Sequence, residues 1–240
     1  MVTLSRRSAR LLIIPLAALL VAACEHSDLG TGTSGGGGGG SVPPLGAAST
    51  YGILAGTAVT CVTGGSIFAD VGVSPGGAIT GFPPCTLTGT RHAADAAAAA
   101  AQVALTSAYN ALVAETCGTT IVADLGGTTI TPGVYCSASS VGVTGTVTLN
   151  GQGNANARFV IKAGSSLTTA GSVALTNGTQ AKNVWWQVGS SATLGTASAW
   201  QGNIVALTSI TLNDNATMLG RALARNGGIT LGSNNTIALP

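Results

Sequence analysis

Few residues in this chain are of types that do covalent chemistry, and those few are scattered. His92 has no second histidine after His26, and Asp70, Asp95, Glu115, Asp124 and Asp214 fall in different stretches. General acid–base catalysis needs two titratable groups converging on one cleft, and no local spacing here puts two carboxylates on one strand or helix face. Serine and threonine are plentiful, but a hydroxyl without a neighbouring base is not a nucleophile. Neither close cysteine pairs nor histidines at ligand spacing are present, so no metal or other cofactor is expected. The pattern points away from turnover and towards a non-enzyme.

Threonine does recur, and its spacing depends on the elements that carry it. From Phe159 to Ile237, short apolar strands return at nearly fixed intervals. Leu167, Leu194, Leu212 and Leu231 each stand six residues before Val173, Trp200, Met218 and Ile237. Each also stands seven or eight after Val160, Trp186 or Gln187, Val205 and Leu223. Val134, Val141 and Val147 keep the same offsets upstream. Three short strands per coil, at a repeat of about 20 residues, predict stacked coils: a three-faced β-solenoid. Two coils carry a longer third corner, Asn150 to Ala157 and Thr176 to Asn183, rich in the Gly, Asn and Gln that turns accept.

On one face the residue before each inward Leu or Val points outward, which gives Ser140, Ser166, Thr193, Thr211 and Thr230. The residue after points outward too, which gives Gly142, Thr168, Gly195, Asn213 and Gly232. Rungs lie about 4.8 Å apart and alternate outward residues about 6.6 Å apart, so the side chains form a flat, uncharged grid. A β-branch restricts χ1, so threonine holds a methyl and a hydroxyl in place with little entropy to lose on binding. A grid of that kind suits a periodic solid, although threonine also favours exposed strands for no functional reason.

Thr90 to Glu115 differs in kind. Alanine runs from Ala93 to Ala101 broken only by Asp95, and Leu105, Tyr109 and Leu112 follow at helical spacing, so one helix of about seven turns is expected. Thr90 would cap it, Asp95 would lie in its first turns, and Cys117-Gly118 would end it. Its narrow alanine side suits close packing on strands that are apolar on both sides, such as Phe159-Val160-Ile161, Val184-Trp185-Trp186 and Ile204-Val205-Ala206. Arg158, Lys162, Lys182, Arg221 and Arg225 read as solvated strand ends, with binding of the helix terminus or an acid as the lesser reading for Arg221 and Arg225. The pieces from Tyr51 to Val73 read as the first coil.

The N-terminal end reads as targeting. Arg6, Arg7 and Arg10 precede the apolar run from Leu11 to Ala23, which is too short to span a bilayer unaided. Val21-Ala22-Ala23-Cys24 resembles the bacterial lipobox, which implies that Cys24 carries diacylglycerol and becomes the mature N-terminus. Residues 1–23 are thus a lipoprotein signal peptide, 24–47 a lipid-anchored glycine-rich tether and 48–240 the single folded domain. Removing Arg6, Arg7 and Arg10 takes the formal charge of +2 to about −1. That balance argues against a nucleic-acid partner. Contact with a membrane is expected through the N-terminal lipid only. The place is the cell envelope, at the outer membrane or cell surface, or outside the cell if Cys24 is not lipidated. Four further cysteines allow three pairings. Cys61 with Cys85 and Cys117 with Cys136 is favoured, because each bridge would pin a junction where the helix interrupts the solenoid.

From Tyr51 to Leu239 the chain resembles the microbial ice-binding (antifreeze) proteins. The resemblance is carried by Asp70-Val71-Gly72-Val73-Ser74-Pro75-Gly76, Ile79-Thr80-Gly81-Phe82-Pro83-Pro84, Leu149-Asn150-Gly151-Gln152-Gly153-Asn154, Trp186 to Thr196 and Gly220 to Gly227, among other matches in one order. It implies a mainly β fold, a right-handed discontinuous three-faced β-solenoid with one long α-helix packed along one face. It also implies a monomer whose partner is the ice crystal surface. Ice is the solid that the grid itself suits, since methyls order water between them and hydroxyls anchor it. The family's corner pattern, Thr, a small residue, any residue, then Thr or Asn, is matched in part at Thr169-Ala170-Gly171-Ser172 and Thr196-Ala197-Ser198-Ala199. Thr169 and Thr196 therefore join the expected ice-binding set. The alternative from another class is a surface adhesin or glycan-binding solenoid.

Overall fold

The computed structural model describes residue 1 and residues 42–121 and 123–240. The expected signal peptide, most of the tether and Cys24 lie outside these residues. The described chain forms a β-solenoid whose strands all pair in parallel, as a coil that returns to the same face each turn requires.

The largest sheet runs in the order Arg91–Ala93, Asp70–Val73, Tyr51–Ala55, Ala222–Ala224, Asn203–Ala206, Val184–Val188, Phe159–Ala163, Gly133–Ser137, Thr119–Thr120. The coils nearest the N-terminus are therefore first in sequence but not next to the coils that follow them. They stack on the last coil, with Ile53 paired to Ala222 and Leu54 to Leu223. The chain starts inside the stack, climbs to one edge and restarts at the other. Crossing nine strands means covering about 38 Å.

The helix α1, Ala96–Ala114, makes most of that crossing; its 19 residues span about 28 Å. It is some five turns long, not seven. Arg91–Ala93 continues the sheet instead, Ala94 turns the chain at φ 53°, and Asp95 is the N-cap, accepting from the Ala98 N–H at 2.8 Å. Alanine propensity alone cannot see that the sheet claims the residues before it. Ala98, Ala101, Leu105, Ala108, Tyr109 and Leu112 are buried on one stripe. They pack on Leu54, Val160, Trp185, Val205 and Leu223, which forms a second core outside the sheet. The main core lies inside the coils, around Trp186, Trp200, Phe159 and Ile161. Pro43, Leu45 and Ala48 are also buried, so packing extends a few residues ahead of residue 48.

Two basic residues that read as solvated ends hold the helix instead. Arg158 is 4% exposed and forms a two-pronged ion pair with Glu115, at 2.7 Å on one prong. Lys162 donates to the Val113 and Glu115 carbonyls, each at 2.8 Å, where α1 ends with its acceptors unpaired. Both disulfides form as favoured, Cys61–Cys85 and Cys117–Cys136. The long corners occur where expected, with Gln152 and Asn177 in the left-handed region beside Gly153 and Gly178. They interrupt the third face, which divides into a three-stranded and a five-stranded sheet.

Candidate functional site

The remaining face is one uninterrupted sheet of seven strands, in the order Val141–Val143, Leu167–Thr169, Ala192–Leu194, Ile210–Leu212, Ile229–Ser233, Ala58–Thr63, Ala78–Thr80. Six have an apolar residue, an outward residue and a second inward residue in succession, and Ala78–Thr80 ends at its outward residue. Register then aligns the outward ones: Gly142 with Thr168, Thr168 with Thr193, Thr193 with Thr211, Thr211 with Thr230, Thr230 with Thr60 and Thr60 with Thr80. Six consecutive rungs thus present threonine at the same height. The Thr80 hydroxyl donates to that of Thr60 at 3.4 Å.

This differs from the sequence alignment in a definite way. Leu167 pairs with Ala192, not with the Leu194 position. Because side chains alternate with period two, a slip of two residues keeps every inward residue inward and leaves no trace in the hydrophobic pattern. Thr168 consequently moves into line with Thr193, Thr211 and Thr230. Ser140 and Ser166 fall back to the preceding corner and are half-buried there. Asn213 stays exposed one outward step beyond the threonine column, and Thr196 is exposed at the next corner. Thr169 is a correction: it points inward, is 3% exposed, and accepts a hydrogen bond from the Gly195 N–H. A buried hydroxyl with a backbone partner cannot touch a surface.

The sequence alignment does not reach Thr60, whose coil reads as the first one, or Thr80, which lies beyond that coil. The signal was the triplet itself: Val59-Thr60-Cys61 and Ile79-Thr80 repeat the form of Ala192-Thr193-Leu194, Ile210-Thr211-Leu212 and Ile229-Thr230-Leu231.

No charged residue lies on the seven strands of this face. Each scattered acid serves local structure. Asp70 accepts from Thr90 N–H at 2.8 Å and Asp214 from Ser233 N–H at 2.7 Å. Asp95 caps the helix and pairs with His92 at 2.8 Å. Asp124 accepts from the Thr144 hydroxyl, Gly126 N–H and Thr144 N–H, and these bonds, the first the largest, hold its carboxyl below the ordinary value. Among the described residues, no group of three His, Cys, Asp or Glu side chains is placed to hold a metal. The third face also carries hydroxyls, Thr217, Thr236, Ser66 and Thr86 in register. It is rougher, with Phe68 and Leu219 standing out among them.

A parallel β-solenoid with a helix on one face, an inserted N-terminal coil and a flat threonine face defines the class of helix-flanked β-solenoid proteins. The chain matches the family model described as "Ice-binding-like" over residues 53–237 and belongs to that family. It is 48% identical to an ice-binding protein of Nostoc sp. (strain HG1), over 81% of this chain and 73% of that one. Its fold superposes on the crystal structure of an ice-binding protein from an Antarctic biological consortium with a TM-score of 0.82, at 44% identity, covering 84% of this chain and 92% of that one. The corresponding values for the ice-binding protein of the Antarctic ascomycete Antarctomyces psychrotrophicus are 0.79 and 38%, covering 82% and 98%.

Proposed function

We propose that this protein adsorbs to ice through the face bearing Thr168, Thr193, Thr211, Thr230, Thr60 and Thr80, with Thr196 and Asn213 at its margin. The observation that carries the reading is the column itself, six threonines in register on a sheet without charge. Stiff rungs and restricted χ1 rotamers leave little to be ordered on binding. Family membership supports ice as the solid. Adsorption blocks growth or recrystallisation, or holds the cell at ice, with no substrate turned over.

The protein is exported and tethered through a lipid on Cys24. That part rests on the charged, apolar and small-residue succession before Cys24. Ice-affinity partition and thermal hysteresis of the purified protein test the ice reading. Uptake into a growing ice hemisphere is expected, and a protein that stays in the liquid would refute it. Thr211→Tyr places a large side chain at the centre of the face and should abolish most of the hysteresis; unchanged hysteresis would move the site to another face. Labelling with a fatty-acid analogue, lost on Cys24→Ala, tests the anchor.

A further inference from the structure

An open groove of about 350 Å³ lies at the seam between α1 and the corners where the helix-covered sheet turns towards the threonine sheet. Its polar lining is Ser74, Gln102, Thr106, Ser107, Arg225 and Asn226. Arg225 follows the strand Ala222–Ala224, and its guanidinium lies over the Tyr109 ring, 5.0 Å from the centroid. That ring is fixed in turn: Tyr109 is buried, and its hydroxyl accepts from the Gln187 amide at 3.2 Å. The other strand-end arginines have acceptors. Arg158 has Glu115, and Arg221 has the Ser49 carbonyl and Asn203. Arg225 has neither an acid nor a side-chain hydrogen bond among the described residues, and its Nε is buried without a partner. The guanidinium is therefore held against the Tyr109 ring, with its two terminal nitrogens unmatched at the groove wall and its buried Nε turned towards protein. That arrangement is suited to a carboxylate, which can take two parallel N–H bonds.

The remainder of the lining narrows the ligand. Everything polar around Arg225 is uncharged. The Gln102 amide nitrogen is committed to the Ala224 carbonyl at 3.3 Å, which leaves its oxygen to accept. Pro75 and Val103 add apolar surface. One cation among several hydroxyl and amide groups matches a sugar that carries one carboxylate and several hydroxyls. A phosphate or sulfate polymer would call for several cations, and an acidic peptide for a strand edge or an apolar anchor pocket. We infer that this groove binds a uronic-acid unit of an acidic polysaccharide, with Arg225 clamping the carboxylate, Pro75 and Val103 under the sugar's C–H face, and Gln102, Ser107 and Asn226 on its hydroxyls.

The test titrates the purified protein with a short oligogalacturonate, following heat and the Arg225 Nε–H resonance. Saturable binding is expected, at least about tenfold tighter than for a neutral oligogalactose of equal length. Arg225→Gln should weaken it by about tenfold or more, and Arg225→Lys by less, since a lysine keeps the charge but not the fork. Thermal hysteresis should be unchanged in both, which separates this site from the ice face. If Arg225→Gln impairs folding, Ser107→Tyr, on the exposed side of α1, fills the groove and should block binding on its own. Absence of binding, equal affinity for the neutral sugar, equal affinity for an oligoglutamate of the same charge, or indifference to these substitutions would each overturn the assignment.

Discussion

Thr230 stands directly beside Thr60 on adjacent parallel rungs, although the two come from opposite ends of the domain. The threonine column is therefore continuous only because the N-terminal coils dock on the last coil.

If the column acts as one surface, Thr60 matters as much as Thr211. Thr60→Tyr should lower thermal hysteresis several-fold while leaving the melting temperature within a few degrees, because Thr60 is exposed. Leu219→Tyr on the third face is the control and should have little effect. Hysteresis that responds to Thr211 but ignores Thr60 would confine the contact to the C-terminal coils.

Packing of α1 predicts two opposite failures. Leu105 is fully buried between the helix and the sheet, and Leu105→Ala should cost about 2–5 kcal/mol by leaving a cavity. Ala101 is as fully buried, and Ala101→Leu should cost about 1–3 kcal/mol by overpacking. Chemical denaturation measures both.

The pair of Arg158 and Glu115 closes the lower end of the helix. Glu115→Gln would leave a buried guanidinium without its counter-charge, at a cost of about 2–4 kcal/mol, reduced from a fully buried pair because Glu115 is partly exposed. Adding Arg158→Met should recover part of that loss. If the double variant is no more stable than Glu115→Gln, the charge is not the cause.

Acid should loosen the fold at two capped sites. Hydrogen bonds from Thr144 and Gly126 to Asp124, and from Ala98 and then His92 to Asp95, lower both carboxyl pKa values. A depressed folded pKa gives stability that is present above the unfolded value and lost as pH falls through the folded one. Melting temperature should thus be flat with respect to these groups above about pH 5 and fall below about pH 4. Asp124→Asn should flatten part of the acid limb; an unaltered limb would show that Asp124 does not contribute.

Much of this architecture was legible in the residues. Three strands per coil, the long corners at Asn150 and Thr176, the covered face and the helix follow from apolar spacing and turn chemistry, and the favoured cysteine pairing follows from where the helix interrupts the solenoid. What was not legible has physical causes. A two-residue register slip is silent in a period-two pattern, so the apolar spacing sets Thr168 one column away from Thr193. Thr169 enters the set through the corner pattern alone, which does not say which face a residue takes. Nothing local tells Val59-Thr60-Cys61 which edge of the stack to join, because that choice is made by contacts with Ile229 and Leu231. The burial of Arg158 and Lys162 depends on where α1 ends, and the strand Arg91–Ala93 takes residues that their propensity would give to the helix.

The disulfides have a bearing on what happens as water freezes. Growing ice excludes solutes, so the liquid left around this protein becomes crowded when the protein is in use. A solenoid in that liquid has two open ends whose unpaired backbone groups could template filaments. Here the end strands are only two or three residues long, Thr119–Thr120 and Thr129–Ile130 at one end, and Ala78–Thr80, Thr86–Leu87 and Arg91–Ala93 at the other. Cys117–Cys136 ties the first end to the coil above it, and Cys61–Cys85 ties the second to the coil below. Pinned short ends offer a second copy little backbone to extend, which disfavours end-to-end growth of the stack in a freeze-concentrated liquid.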